Sequence, residues 1–86
     1  MSKTNIRSTS KQILEFMLSI SIQTGSFDIF IRDEEIINEV NGLNKQMHML
    51  CYQYLAESGF IIFVRKDDDG SRLIRITPKA IDFVEN

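Results

Sequence analysis

Residues that build disulfides, metal sites and catalytic centres are scarce in this sequence, which has one cysteine, one histidine and no tryptophan. A single cysteine cannot close a disulfide within the chain, and such sparing use is typical of a reducing, cytoplasmic compartment. One cysteine and one histidine are too few for a structural zinc site, so we expect neither a metal nor a cofactor. The sequence has no glycine-rich phosphate loop and no nucleophile motif, and we therefore expect no enzyme activity.

Long hydrophobic runs are also missing. The longest apolar stretch, 13–22, includes Glu15 and serines and is shorter than the roughly 20 residues that a membrane span requires. Its flanks carry no small-residue cleavage site, so we expect neither a membrane anchor nor a signal peptide. With 86 residues, 43% of them hydrophobic and 26% charged, the chain has the size and composition of one globular domain. We expect this domain to span 1–86, with a flexible N-terminal arm at 1–8.

Charge is unevenly distributed, although the formal net charge is only −2. Residues 1–11 carry three basic side chains and no acidic one, whereas residues 12–40 carry one arginine and six acidic side chains. Residues 60–79 have five basic side chains against three aspartates. Any surface for nucleic acid is therefore expected to be local, and to be built from the ends of the chain rather than from its middle.

Periodicity and capping residues predict a first helix followed by a strand. Thr9 and Gln12 have the spacing of a capping box and precede an apolar helical pattern, which predicts a helix over 10–24 that stops at Gly25. The β-branched and aromatic residues of 26–31 then favour a short strand.

Two helices joined by a short turn are predicted next. Three acidic residues at 33–35 favour the first turn of a helix, and the Asn-Gly pair at 41–42 is a typical helix stop. Asn44 as N-cap and Gly59 after the last turn predict a third helix over 44–58. This spacing is that of a helix-turn-helix. Helical periodicity assigns the core face of the third helix to Met47, Leu50, Cys51, Tyr54 and Leu55.

The last third of the chain predicts a hairpin and a short helix. Strand-like runs at 60–66 and 71–76 flank an Asp-Gly turn at 69–70. The Thr-Pro pair at 77–78 then starts a helix over 79–85. We therefore expect an α+β fold in the order helix-strand-helix-helix-strand-strand-helix.

Two segments, YQYLAESGFI at 52–61 and ITPKAIDFVE at 76–85, resemble the close of many winged-helix regulators. With the Arg-Ser pair at 7–8 and the Tyr-x-x-Leu-x-x-x-Gly pattern, the chain looks most like the small predicted archaeal winged-helix transcriptional regulators. Winged-helix proteins of bacteria, phages and archaeal viruses are also similar. The resemblance covers nearly the whole chain.

This resemblance implies a winged helix-turn-helix that binds double-stranded DNA and regulates transcription, in the cytoplasm and on the nucleoid when DNA-bound. The helix at 44–58 would enter the major groove, and the hairpin at 60–76 would be the wing. Lysine and arginine suit phosphate, and amides suit base edges. The candidate DNA-binding residues are Asn44, Lys45, Gln46, His48, Met49, Tyr52, Gln53, Arg65, Lys66 and Arg72.

A second hypothesis is a winged-helix module that binds a protein without contacting DNA. The net negative charge, the aspartates at the hairpin tip and an outward Met49 favour it. Cross-strand pairing, for example of Asp67 with Arg72, would also withdraw arginine from phosphate.

The first helix carries more apolar residues than one small core requires. Leu14, Leu18 and Ile22 are expected to form a homodimer interface, or to be covered by the first strand and last helix. Ala80 stands where the winged-helix family often has glycine, and we expect no long C-terminal helix of the kind through which many relatives dimerise.

Overall fold

The fold is built on a three-stranded antiparallel sheet, seen in a computed structural model that describes residues 5–85. Strands β1 (Asp28–Ile31), β2 (Ile61–Lys66) and β3 (Arg72–Ile76) pair in the order β1-β3-β2. Strand β1 therefore pairs with β3, the last strand in the sequence, and adds a third strand to the β2–β3 hairpin.

Four helices accompany this sheet within the described residues, which confirms the predicted α+β class. They are α1 (Ile6–Thr24), α2 (Asp33–Glu39), α3 (Lys45–Glu57) and α4 (Pro78–Glu85), and the order along the chain is α1-β1-α2-α3-β2-β3-α4. Helix α1 packs against both α3 and α4, and α2 packs on α3. The central position of α1 fixes the orientation of α3, whose opposite side faces solvent.

Helix α1 begins earlier than the sequence predicts. Its N-cap is Asn5, whose side-chain oxygen accepts a 2.9 Å hydrogen bond from the Ser8 amide. Asparagine is among the best N-caps, so the helix starts at Ile6, and Thr9 lies inside it rather than capping it. The expected flexible arm is thus wrong for residues 6–8, and residues 1–4 of that arm lie outside the described residues.

The core lies between the helices and the inner face of the sheet. Strand β1 shows the expected alternation, since Ile29 and Ile31 are buried while Asp28 and Phe30 are exposed. Leu14 is fully buried in this core, so its assignment to a dimer interface is wrong. The large side chains with almost no exposed surface are Ile13, Leu14, Met17, Ile29, Ile31, Ile36, Leu55, Ile61, Ile74 and Ile76.

Side-chain caps fix the starts of α2 and α3, which together with the turn between them form a helix-turn-helix segment. The Arg32 amide donates to Glu35 Oε1 at 2.9 Å at the start of α2. The Met47 amide donates to Asn44 Oδ1 at 2.8 Å at the start of α3, which confirms Asn44 as the predicted N-cap. Each cap satisfies an N–H group that the helix itself leaves without a partner.

The hairpin closes at the predicted turn. The Asp67 amide donates to the Ser71 carbonyl at 2.8 Å, and Gly70 adopts the positive φ of 90° that favours glycine. The pairing register shifts between Phe63 and Arg65, so the hairpin carries a bulge on its outer strand.

Candidate nucleic-acid interface

The outer face of α3 combines polar and apolar side chains. Lys45, Gln46 and Gln53 are exposed, and between the two glutamines Met49 and Leu50 remain 51% and 50% exposed. Gln46, Leu50 and Gln53 share one side of the helix because they are four and three residues apart. This surface is the part of the helix-turn-helix segment that is free to contact another molecule.

The core stripe of α3 agrees with the predicted one at Cys51 and Leu55, which are buried, and differs from it at two positions. His48, Cys51 and Leu55 are buried, with His48 only 2% exposed, whereas Leu50 is half exposed. The prediction that His48 lies outward as a DNA contact is therefore wrong, as is the prediction that Leu50 lies in the core. Spacings of three and four residues fit both stripes, so periodicity does not distinguish them.

Burial of His48 is possible because α2 supplies a partner. Its Nε2 lies 3.2 Å from Oδ1 of Asp33, the first residue of α2. A carboxylate only accepts hydrogen bonds, so this contact places the imidazole proton on Nε2. The other ring nitrogen, Nδ1, is buried without a hydrogen-bond partner among the described residues.

Arg72 on β3 binds the same carboxylate. Its Nε and Nη2 donate to the two oxygens of Asp33 at 3.0 and 3.2 Å, a two-pronged pairing that fixes the guanidinium plane. The guanidinium lies 5.0 Å from the ring centroid of Tyr52, a cation–π distance. Asp33 therefore joins α2, α3 and the hairpin, and Arg72 is engaged rather than free for phosphate.

The pKa values of this cluster follow from its contacts. Burial alone would raise the pKa of Asp33, but the hydrogen bonds and charges of Arg72 and His48 together hold it below the ordinary value. The hydrogen bond with Asp33 raises the pKa of Arg72. Burial raises the pKa of Tyr52, against the opposing charge of Arg72. At neutral pH the cluster thus holds an ionised Asp33–Arg72 pair beside a neutral phenol.

Three further arginines, two on the sheet and one at the N-cap of α2, are also paired with aspartates. The pairs are Arg65–Asp67 at 2.8 Å, Arg32–Asp69 at 3.3 Å and Arg75–Asp28 at 3.0 Å. The expected cross-strand pair of Asp67 with Arg72 is not formed, because each residue has another partner. Exposed pairs of this kind contribute only about 0–1 kcal/mol, so phosphate can exchange for the carboxylate at small cost.

Two lysines without such partners meet beside the start of α3. Lys45 and Lys66 both line a cleft of about 290 Å³ between the helix-turn-helix segment and the hairpin tip. Neither makes an ion pair with any residue between 5 and 85. Asp33 and Asp69 line the same cleft and are bound by Arg72 and Arg32, whereas Glu34 lines it without an ion-pair partner among residues 5–85. The two lysines therefore outnumber the one unpaired carboxylate of the cleft.

Of the apolar residues expected at a dimer interface, one is free on the surface. Ile22 is 81% exposed near the end of α1, Leu18 is partly buried, and Leu14 belongs to the core. Ile22 lies beside Phe27, which is 50% exposed, on a groove of about 290 Å³. An apolar surface at the α1–β1 corner thus replaces the stripe along α1.

The outer face of the sheet forms a separate exposed apolar region. Phe30, Ile62 and Val64 are between 49% and 54% exposed. Arg65 stacks over the Phe30 ring at 5.6 Å, which covers part of this surface. The region lies on the opposite side of the sheet from the buried isoleucines of β1 and β3.

Residues 5–85 include neither a candidate metal site nor a helix that could span a membrane. No group of three or more histidine, cysteine, aspartate or glutamate side chains is arranged to hold a metal ion there. None of the helices in this part of the chain has the length and apolar character needed to cross a membrane.

Asp33 is the residue of the candidate site that sequence reasoning missed. Its position at the start of α2 indicated only a favourable interaction with the helix dipole. Its partners His48 and Arg72 are 15 and 39 residues away, and no local pattern relates residues at such separations.

The chain matches no protein-family model, no curated protein and no solved structure. The functional argument therefore rests on the residues themselves and on how the fold places them.

Proposed function

We propose that this protein is a winged helix-turn-helix module that binds double-stranded DNA and regulates transcription, acting in the cytoplasm by binding rather than by catalysis. The observation that carries the proposal is the exposed outer face of α3, supported from behind by α1 and α2 and flanked by the β2–β3 hairpin. A helix exposed in this way has the dimensions that fit a major groove.

The lysines beside the start of α3 supply the phosphate contacts in this proposal. Lys45 stands at the first turn of α3 and Lys66 at the end of β2, so one cleft offers positive charge from both elements. Gln46 and Gln53 face the base edges. Asn44 contributes through its cap on Met47, since its side-chain oxygen is already used there.

We also propose that the DNA-bound form is a homodimer. The two lysines at this cleft are few for a specific complex, and a two-fold dimer doubles the phosphate contacts by placing two α3 helices on adjacent half-sites. The exposed Ile22 and Phe27 at the α1–β1 corner are the surface proposed for the pairing.

DNA selection from a random duplex pool tests the binding proposal. The expected result is enrichment of specific sites, with affinity falling as salt rises by about 0.9 log units per log unit of salt for each phosphate contacted. The Lys45→Ala/Lys66→Ala variant should lower both the affinity and this slope. The matched control, Lys11→Ala/Lys79→Ala, removes the same charge on α1 and α4 and should change binding much less. No enrichment even at low salt would overturn the proposal.

Sedimentation measurements test the dimer. The Ile22→Glu variant should shift the protein toward monomer, because it places a charge in the proposed apolar interface. Gln23→Glu adds the same charge at the next exposed position and is the control. A wild-type protein that stays monomeric at high concentration, with and without selected DNA, would contradict the dimer.

A second candidate function is protein binding through the outer face of the sheet. It is favoured by the exposed Phe30, Ile62 and Val64, and by the pairing of four arginines with aspartates inside the molecule. This candidate would be supported if the DNA selection failed and if a protein partner bound the Lys45→Ala variant but no longer bound the Ile62→Ser variant.

A further inference from the structure

We infer that α3 reads A·T base pairs through alternating amide and apolar side chains. This inference rests on the proposed DNA binding and specifies its target. It concerns the outer face of α3 alone, where Gln46, Met49, Leu50 and Gln53 are all exposed.

The geometry of the face sets two amides on either side of an apolar pair. Gln46 and Gln53 are seven residues apart, which is two helical turns and returns them to nearly the same direction. Met49 and Leu50 lie between them, and about half of each side chain is exposed although large apolar residues usually avoid water. Helix α3 thus presents a row in the order amide, apolar, amide along one side.

This row matches the major-groove edge of an A·T pair. Adenine presents an acceptor at N7 and a donor at N6, and a glutamine carboxamide has the donor and the acceptor needed to bind both. The partner thymine presents its C5-methyl group, which apolar side chains contact. Each glutamine can therefore bind an adenine while Met49 or Leu50 covers a neighbouring methyl group.

The same face is poorly equipped for guanine. Guanine presents two acceptors, N7 and O6, and is read best by the paired donors of arginine or by lysine. Helix α3 has no arginine, and Lys45 at its first position faces the cleft that it shares with Lys66. Glu57 suits a cytosine amino group but is the last residue of the helix, four positions beyond Gln53.

A random-pool selection with the wild-type protein is the first part of the test. The expected result is a site whose central positions are A·T pairs. Replacing one of these pairs by G·C should weaken binding about tenfold. Replacing the contacted thymine by deoxyuridine removes only the methyl group, and should weaken binding by a few-fold.

Variants connect each preference to its residue. Met49→Ala should reduce the difference between thymine and deoxyuridine sites, and Gln46→Ala should reduce the preference for adenine. Gln12→Ala on α1 is the matched control for the glutamine, since it is exposed and far from this face. All four side chains of the row are exposed, so thermal melts should show that the variants remain folded.

The outcomes separate this inference from the proposal beneath it. If no duplex is enriched, DNA binding itself fails. If G·C-rich sites are enriched, or if thymine and deoxyuridine sites bind equally and Gln46→Ala leaves the base preference unchanged, DNA binding stands and the A·T inference is overturned.

Discussion

Asp33 holds Arg72 through two hydrogen bonds of 3.0 and 3.2 Å, and so fastens the helix-turn-helix segment to the hairpin. The same carboxylate binds the buried His48. One side chain therefore links α2 to both α3 and the hairpin, and it holds an arginine beside the proposed DNA surface.

The first prediction concerns acid stability. Asp33→Asn should lower the free energy of unfolding at neutral pH by about 1–2 kcal/mol, less than for a fully buried pair because the Asp33 side chain is 35% exposed. The pKa of Asp33 is lowered in the folded protein, so its contribution is present above the ordinary value of about 3.9 and is lost as the pH falls through the folded value. Denaturant titrations at a series of pH values should show that the free energy of unfolding falls less steeply toward acid pH in Asp33→Asn than in wild type.

The control for this experiment is Glu34→Gln, which removes the same charge at an exposed neighbouring position. Asp69 keeps part of the acid dependence in both variants, because hydrogen bonds from Ser71 also lower its pKa. If the free energy of unfolding fell equally toward acid pH in Asp33→Asn and in wild type, the cluster would not control stability in acid.

The second prediction concerns DNA affinity. Asp33→Asn frees Arg72 for phosphate, so it should tighten DNA binding more than Glu34→Gln does, although both variants remove one negative charge. Adding Arg72→Gln to Asp33→Asn should abolish the difference. Fluorescence anisotropy with a selected duplex measures both effects. Equal tightening by the two single variants would mean that Asp33 acts only through overall charge.

The third prediction concerns the alkaline titration of Tyr52. Burial raises its pKa, so in a Tyr54→Phe variant the remaining phenol should ionise above the ordinary value of about 10. The stability linked to Tyr52 is present below that ordinary value and is lost as the pH rises through the folded pKa. Arg72→Gln should raise the pKa of Tyr52 further, since the charge of Arg72 opposes the effect of burial. Phenolate absorbance across the alkaline range measures this titration. A Tyr52 phenolate that formed with the ordinary pKa of about 10 would contradict the prediction.

The fourth prediction separates the core of α1 from its surface. Leu14→Ala should lower the free energy of unfolding by about 2–5 kcal/mol, because the side chain is fully buried and its removal leaves a cavity. Ile22→Ala should change the stability of the subunit by only about 0.5 kcal/mol, since Ile22 is 81% exposed. Urea denaturation at low protein concentration measures both variants. A small effect of Leu14→Ala would mean that this side chain does not belong to the core.

Local signals in the sequence located the turns and caps. Asn44 caps α3, the Asp-Gly pair at 69–70 lies in the hairpin turn, and α4 begins at Pro78, because each of these features depends on a few neighbouring residues. The start of α1 was missed because Asn5 and Thr9 are both acceptable caps, and the structure uses Asn5, the stronger of the two.

The sequence by itself determined the α+β class, the short turn between α2 and α3 and the approximate bounds of the hairpin, since these follow from periodicity and from local backbone preferences. Tertiary structure alone decided which side of α3 is free. It buried His48 against Asp33 and left Leu50 in solvent, and it paired Arg72 with a carboxylate 39 residues away. The physical reason is that burial and ion pairing depend on distances between elements. The pattern of residues within one segment indicates only the helical or strand geometry of that segment.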